Sequence, residues 1–227
     1  MAFRKKADHI LALDPDILVI PECECVDKLK LSFETKKPNS VLWFGKNQNK
    51  GLGIFSYGNT KLKLLKTHNA ELRMIIPISV KNEQYQFTLY AVWAFNPYDP
   101  DGVYVEQVWK AIHHYEKHLK TKTSMLIGDF NSNTIWDRPR REGNHSNVVK
   151  FLEERKIYSS YHLHHKQLQG KEEHPTLYMY RHQDKRYHID YCFISKNLAD
   201  NLDSVHVGDF KTWTQYSDHV PVIVTLK

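Results

Sequence analysis

No run of apolar residues in the sequence approaches the roughly 18 needed to cross a bilayer, and the opening residues, Met1 to Lys6, lack the apolar stretch of a secretory signal. Both absences predict a protein that stays off the membrane and in the cytoplasm. Cysteine is scarce: Cys23, Cys25 and Cys192 are odd in number and too few for a disulfide framework, which agrees with a reducing compartment. No internal repeat, low-complexity tract or Gly/Ser linker divides the chain, so residues 1–227 are read as one domain, with a monomer expected. A cap is lacking too. The helix-like segment Phe3 to Leu13 has no Ser, Thr, Asp or Asn ahead of it to close its first turn.

What is present is ordinary for a folded protein. The 227 residues are 41% hydrophobic and 26% charged, enough for a sizeable core and against wholesale disorder. Lys and Arg number 32 against 26 acids, a net charge of +6, and 14 histidines can add charge below neutral pH. An anionic partner fits that excess, and so does mere solubility; charge alone does not separate the two.

After Asp14-Pro15-Asp16, the stretch Ile17 to Ile20 is a short continuous apolar run of the kind found in strands buried on both faces. Further strands are predicted at Val41 to Phe44, Leu52 to Ser56, Leu72 to Val80, Tyr85 to Trp93, Ser124 to Ile127, Tyr187 to Ile194 and Val220 to Leu226, with a hairpin across Leu72 to Trp93. Helical spacing is clearest from Tyr104 to Leu119, where Val105, Val108, Trp109, Ile112, Tyr115 and Leu119 form one stripe, and recurs from Ser146 to Lys156. Strands outnumber helices, and hairpins mix with strand-helix-strand units. That pattern predicts stacked sheets flanked by helices rather than a purely parallel sheet.

Four short constellations carry chemistry. Glu22 stands just past the first strand, where a carboxylate can open onto a site; taken alone it reads more readily as a solvated loop acid. In Ser124-Met-Leu-Ile-Gly-Asp-Phe-Asn131, an apolar strand and a Gly precede Asp129 and Asn131. Two residues apart in extended chain, these would face one ligand as acceptor and donor, or else form an Asx-type turn. In Tyr187-His-Ile-Asp-Tyr-Cys-Phe-Ile194, Asp190 lies in mid-strand, where burying an acid is costly without a partner. Ser217-Asp-His-Val-Pro221 offers one: His219 against Asp190 would make an oriented acid/base pair and leave Asp218 for a metal or water.

Together these residues resemble the endonuclease/exonuclease/phosphatase superfamily, in its exonuclease III and deoxyribonuclease I branch. The resemblance runs from about Asp14 onward and rests on Pro-Asp-Ile-Leu-Val-Ile-Pro-Glu22, Gly51-Leu-Gly-Ile-Phe-Ser56, Gly-Asp129-Phe-Asn131, His-Ile-Asp190-Tyr and Ser-Asp218-His219. It implies an α+β fold, a four-layer α/β/β/α sandwich of two mixed, mainly antiparallel sheets flanked by helices. It further implies Glu22 as principal Mg²⁺ carboxylate with Asp218 assisting, Mn²⁺ being the alternative ion. Asp129 would position or deprotonate the attacking water, Asn131 would donate to the phosphate, and Asp190 would orient His219 toward a phosphate oxygen.

Some positions depart from the family pattern. Pro21 stands where many relatives have Gln, and Trp93-Ala-Phe-Asn96-Pro97 replaces a Tyr-x-Pro-Asn run, so an indole takes the place of a phosphate-contacting phenol. Relatives open with a strand ending in Trp-Asn that helps hold the catalytic acid. This sequence enters near the helix at Phe3, so the resemblance predicts a chain one strand short at its front, with reduced activity or stability.

Two loops bear on substrate. Trp136-Asp-Arg-Pro-Arg-Arg141 offers Arg138, Arg140 and Arg141 to phosphates and Trp136 for stacking, while Tyr178 to Tyr187 interleaves aromatics such as Tyr180 with Arg181, Lys185 and Arg186. With Trp93 and Asn96 they make the expected substrate surface. His113, His114 and His118, and His162, His164 and His165, are better explained as exposed helix positions than as a zinc site, and Cys23 and Cys25 as structural. The expectation is a Mg²⁺-dependent phosphodiesterase acting on nucleic acid, DNA in particular, as an endo- or exonuclease. The alternatives are a phosphatase or phospholipid or phosphoinositide hydrolase of the same fold, or a catalytically weakened nucleic-acid-binding protein.

Overall fold

The computed structural model describes residues 3–29, 35–95 and 104–227. The first strands are β1 (Ile17–Cys23), β2 (Ser40–Asn47) and β3 (Lys50–Ser56), hydrogen-bonded in the order β1-β3-β2. Next come β4 (Lys61–Leu64), β5 (Ile75–Lys81), β6 (Gln86–Trp93), β7 (Ser124–Asp129) and β8 (Ile157–Ser159). A ribbon of β9 (Leu177–Tyr178) and β10 (Arg186–Tyr187) precedes β11 (Asp190–Ser195), and β12 (Leu202–Val207) pairs with β13 (Val222–Leu226). The largest sheet runs β4-β5-β6-β7-β11-β8, antiparallel except for the β6–β7 pair. The helices are α1 (Ala7–Leu11), α2 (Val105–His114), α3 (Glu116–Thr121), α4 (His145–Glu153), α5 (Ser160–His165), α6 (Lys196–Ala199) and α7 (Phe210–Trp213).

Side-chain alternation sorts these elements into layers. Along β1, Ile17 and Val19 point to a core shared with Ile76, Ile78, Leu89 and Cys192 of the large sheet, whereas Leu18 and Ile20 point the other way, to Phe3, Ala7 and Ile10. Along β11, Tyr191 and Phe193 pack on α2 and α4 with Val108, Ile112 and Val148, whereas Cys192 and Ile194 enter the core between the sheets. Helix, sheet, sheet, helix is the result. Within the first layer pair, β1 is hydrogen-bonded to β3 and β13 to β12, with no further strand on either among the described residues, and Ile17 to Ile20 stay half-buried for that reason.

Several elements differ from the predicted ones: the opening segment Phe3 to Leu13 is a 3₁₀ turn, Phe3–Lys5, followed by the short α1, and the strand expected from Tyr187 to Ile194 is interrupted at His188 and Ile189, so that Asp190 begins β11 instead of lying in mid-strand. The helix expected from Tyr104 to Leu119 breaks at Tyr115, whose hydroxyl accepts the Asn69 N–H at 3.2 Å and whose ring lies 5.3 Å from that of Tyr90. The strand expected from Leu72 begins at Ile75 because Ala70–Leu72 winds into a 3₁₀ turn capped by Asn69, which accepts from the Glu71 N–H. The hairpin itself holds, with Lys81 opposite Gln86 and Asn82 Oδ1 accepting from the Gln84 and Tyr85 N–H groups at 2.8 Å.

The backbone at Gly128 decides where β7 delivers its last residue. Its φ of +139° is a glycine conformation, and a Cβ there would stand 1.9 Å from the Val92 carbonyl oxygen on β6. Gly128→Ala is therefore expected to cost more than about 3 kcal/mol in unfolding free energy. A urea melt matching wild type would show that β6 and β7 can part without loss.

Candidate active site

β7 and β11 are paired so that Asp129 lies directly opposite Asp190, and Trp93 ends β6 beside Asp129. Residues facing each other across an antiparallel ladder share a face, so both carboxylates emerge together at one end of the large sheet. Asp129 is buried, at 5% exposure, and Asp190 is half-buried. His219 reaches them from the segment before β13, and its Nδ1 meets Asp190 Oδ2 at 2.9 Å. Among the described residues, Asp129, Asp190 and His219 are the one group whose ligand atoms all lie within 4.8 Å of one another.

A clamp that periodicity could not reveal holds this segment. Thr176 is fully buried; its Oγ1 accepts the N–H groups of Ile189 and Asp190, each at 3.0 Å, while its carbonyl accepts the Val220 N–H at 2.9 Å. The Tyr178 N–H donates to the Asp218 carbonyl at 2.8 Å, and Leu177 bridges His219. The stretch 176–178 thus fastens Asp190 and His219 to each other through backbone as well as side chain.

Electrostatics follow from the crowding. Burial, then the charge of Asp190, push the Asp129 carboxyl well above the ordinary carboxylate range, with His219 and the Asn131 N–H pulling the other way. Burial pulls His219 down, but the charge and hydrogen bond of Asp190, together with Asp129 and Asp218, outweigh it and raise the imidazole to about 9. The surrounding acids thus favour the imidazolium form, in which Nδ1–H donates to Asp190 Oδ2.

Asn131 is not in extended chain. Its φ is +47°, its N–H donates to Asp129 Oδ1 at 2.8 Å, and its amide Nδ2 donates to Asp129 Oδ2 at 2.8 Å and to the Ala94 carbonyl at 3.1 Å. Both amide hydrogens are engaged within the protein, so Asn131 grips Asp129 instead of presenting a donor beside it. Glu22 follows the strand as expected, at φ +58°, and its Oε1 pairs with Lys50 Nζ at 2.8 Å. It stands outside the 4.8 Å group yet acts on the titration of Asp129, as Asp218 does on that of His219. Carboxylates and one imidazole around a common point are a donor set suited to a hard divalent cation.

The surface residues divide. Trp136, Arg138 and Arg140 are exposed, Trp136 with its ring 5.0 Å from that of Tyr187. Tyr180 is 75% exposed with Lys185 Nζ 5.7 Å from its ring, and Arg181 is exposed beside it. Arg141, by contrast, turns inward: its Nε and Nη2 meet Glu106 Oε1 at 2.7 and 2.6 Å, so its charge is engaged by α2. Trp93 is buried to 2% exposure and stacks on Phe95 with centroids 4.6 Å apart, the end of β6 being covered. Asn96 lies outside the described residues.

Behind the site runs a buried polar network. Asn133 Nδ2 donates to the His188 carbonyl and the Tyr191 hydroxyl at 3.0 Å and to Glu172 Oε2 at 3.1 Å, and Ser132 Oγ meets His145 Nδ1 at 2.8 Å. Burial first, and despite Asp137, pulls His145 down to about 4; burial lowers His188 as well. Glu172 moves oppositely to burial, the hydrogen bonds from His162, the Gly170 N–H and Asn133 holding it at about 2. A histidine kept neutral by folding favours the unfolded state once its free form protonates, so stability falls as pH drops from 6.5 toward 4. Glu172 adds to the loss from 4.5 toward 2. His145 alone accounts for about 3 kcal/mol of this. Melting curves should show a decline starting near pH 6.5 that His145→Gln flattens; an unchanged slope would assign it elsewhere.

No protein-family profile matches the chain, and no curated protein matches it. Solved structures do. The 3' phosphatase NExo from Neisseria, bound to a product DNA hairpin, superposes with a TM-score of 0.67 at 20% identity over 99% of this chain and 94% of its own. An AP endonuclease from Archaeoglobus fulgidus gives 0.63 at 17% identity over 100% and 96%. An endonuclease/exonuclease/phosphatase family protein from Leptotrichia buccalis gives 0.62 at 14% identity over 99% and 92%. At such identities the likeness speaks for architecture, and the chain has the endonuclease/exonuclease/phosphatase sandwich fold.

Proposed function

We propose that this chain is a divalent-metal-dependent phosphodiesterase of the endonuclease/exonuclease/phosphatase superfamily that hydrolyses nucleic-acid phosphodiester bonds, DNA above all. The observation that carries the reading is the meeting of Asp129, Asp190 and His219 within 4.8 Å at one sheet end, on the fold shared with a 3' phosphatase bound to a product DNA hairpin and with an AP endonuclease.

Glu22 and Asp218 would hold a Mg²⁺ ion, or Mn²⁺ in its place, which when bound supplies Lewis acidity to the phosphate oxygens. Asp129, raised by burial and by Asp190, has the basicity to take a proton from an attacking water, and Asn131 keeps its carboxylate aimed. His219, fixed by Asp190 through Nδ1, can turn Nε2–H toward a phosphate oxygen on which charge builds in the in-line transition state. The exposed Trp136, Arg138, Arg140, Tyr180 and Arg181 suit a phosphate backbone carrying an unstacked base. No described helix is long and apolar enough to cross a membrane.

Asp129→Asn and His219→Ala are each expected to lower kcat by about 10² or more with little change in Tm. Near-wild-type cleavage by either would refute the site. Arg140→Ala should weaken binding across sequences and reduce the salt slope by about 1; unchanged binding removes that loop from the footprint. The substrate panel is labelled single-stranded, duplex and abasic DNA, DNA with a 3' phosphate, RNA, and phospholipid vesicles, each with Mg²⁺ or EDTA. Salt-sensitive binding without metal-dependent cleavage would instead identify a binding protein.

A further inference from the structure

Lys6 stands at the turn between the 3₁₀ turn Phe3–Lys5 and α1. Its neighbours Arg4 and Lys5 are exposed, but its own side chain is partly buried. The segment is pinned by Phe3, which is fully buried against Phe55 at 5.4 Å between ring centroids and whose N–H donates to Glu24 Oε2 at 2.7 Å; Arg4 pairs with the same carboxylate. So held, Lys6 Nζ meets Ser217 Oγ at 3.3 Å. That hydroxyl, buried, accepts the His219 N–H at 3.2 Å. The ammonium is thus fixed against the segment that carries Asp218 and His219. Burial lowers its pKa below the ordinary lysine value, and the carboxylates of Asp218, Asp190 and Glu22 offset part of that by favouring the charged form.

We propose that Lys6, held against the segment that carries Asp218 and His219, is a built-in counter-cation of the carboxylates of Asp218, Asp190 and Glu22 and thereby sets how tightly the divalent ion is held. The inference rests on those carboxylates being the metal site. A cation tethered among the same acids neutralises them in the free protein and repels a second cation that arrives. Its removal leaves the carboxylates repelling one another until metal binds, so affinity rises. A lysine that merely lay along the surface would leave metal affinity where it was.

The test is calorimetric titration of the full chain with Mn²⁺ alone, without nucleic acid. Lys6→Met, which keeps the aliphatic stem, should bind Mn²⁺ about tenfold more tightly than wild type, and Lys6→Arg, which keeps the charge, within about twofold of it. Lys6→Gln should follow Lys6→Met and serves if the methionine variant does not fold. Equal or weaker binding by the neutral variants, with wild type binding Mn²⁺, overturns the role of Lys6 and leaves the metal site standing. If neither wild type nor the neutral variants bind, the metal-site reading falls and the role of Lys6 with it.

Discussion

Two carboxylates set directly opposite each other on neighbouring strands repel, and burial makes the repulsion worse. The pairing of Asp129 with Asp190 is the constraint around which the site end of this fold is organised. His219 answers it with a positive charge bonded to Asp190; Asn131 answers it with neutral donors to both oxygens of Asp129. Lys50 stands over Glu22, and Lys6 against Ser217. Thr176 then ties the backbone of Asp190 to that of Val220, next to His219. Much of what looks like catalytic equipment is equally the means by which the folded chain tolerates its own acids.

The basic surface is built with the same economy of charge. Asp137 accepts the N–H groups of His145 and Ser146 at the start of α4, and Asn144 and Asn147 form a capping box there. Arg141 anchors to Glu106. The loop between β7 and α4 therefore has a firm base, while Arg138 and Arg140 project from it. A stiff loop that presents arginines loses little conformational freedom when a phosphate arrives.

The layers and the acids at the strand ends were legible in the sequence because they rest on short-range signals. Apolar runs of strand length end in Glu22 or Gly-Asp129, and Asp190 alternates through a strand beside residues of known face. Other features depended on partners far along the chain. That Asn131 turns left-handed and closes on Asp129, that Arg141 finds Glu106, and that Trp93 is covered by Phe95 are outcomes of packing, not of spacing. The short strands β8, β9 and β10 carry too few residues for a period to show, and each is defined by what it pairs with. Nothing in the sequence sets Lys6 apart from Arg4 and Lys5 beside it. Only the burial of Phe3 gives it an address.

The contact between Lys6 and Ser217 joins residues 211 positions apart, and the pairs beneath it, β1 with β3 apart from β12 with β13, form separately. Closing a loop of that length costs little more than closing one half as long, about 0.6 kcal/mol per doubling, so the span weighs on folding rate more than on stability. Asp129, Asp190 and His219 likewise come from β7, β11 and the segment before β13, so the site draws on the last third of the chain as well as on its middle. A chain synthesised only as far as Tyr216 therefore carries Asp129 and Asp190 without the imidazole that is bonded to Asp190 in the complete fold.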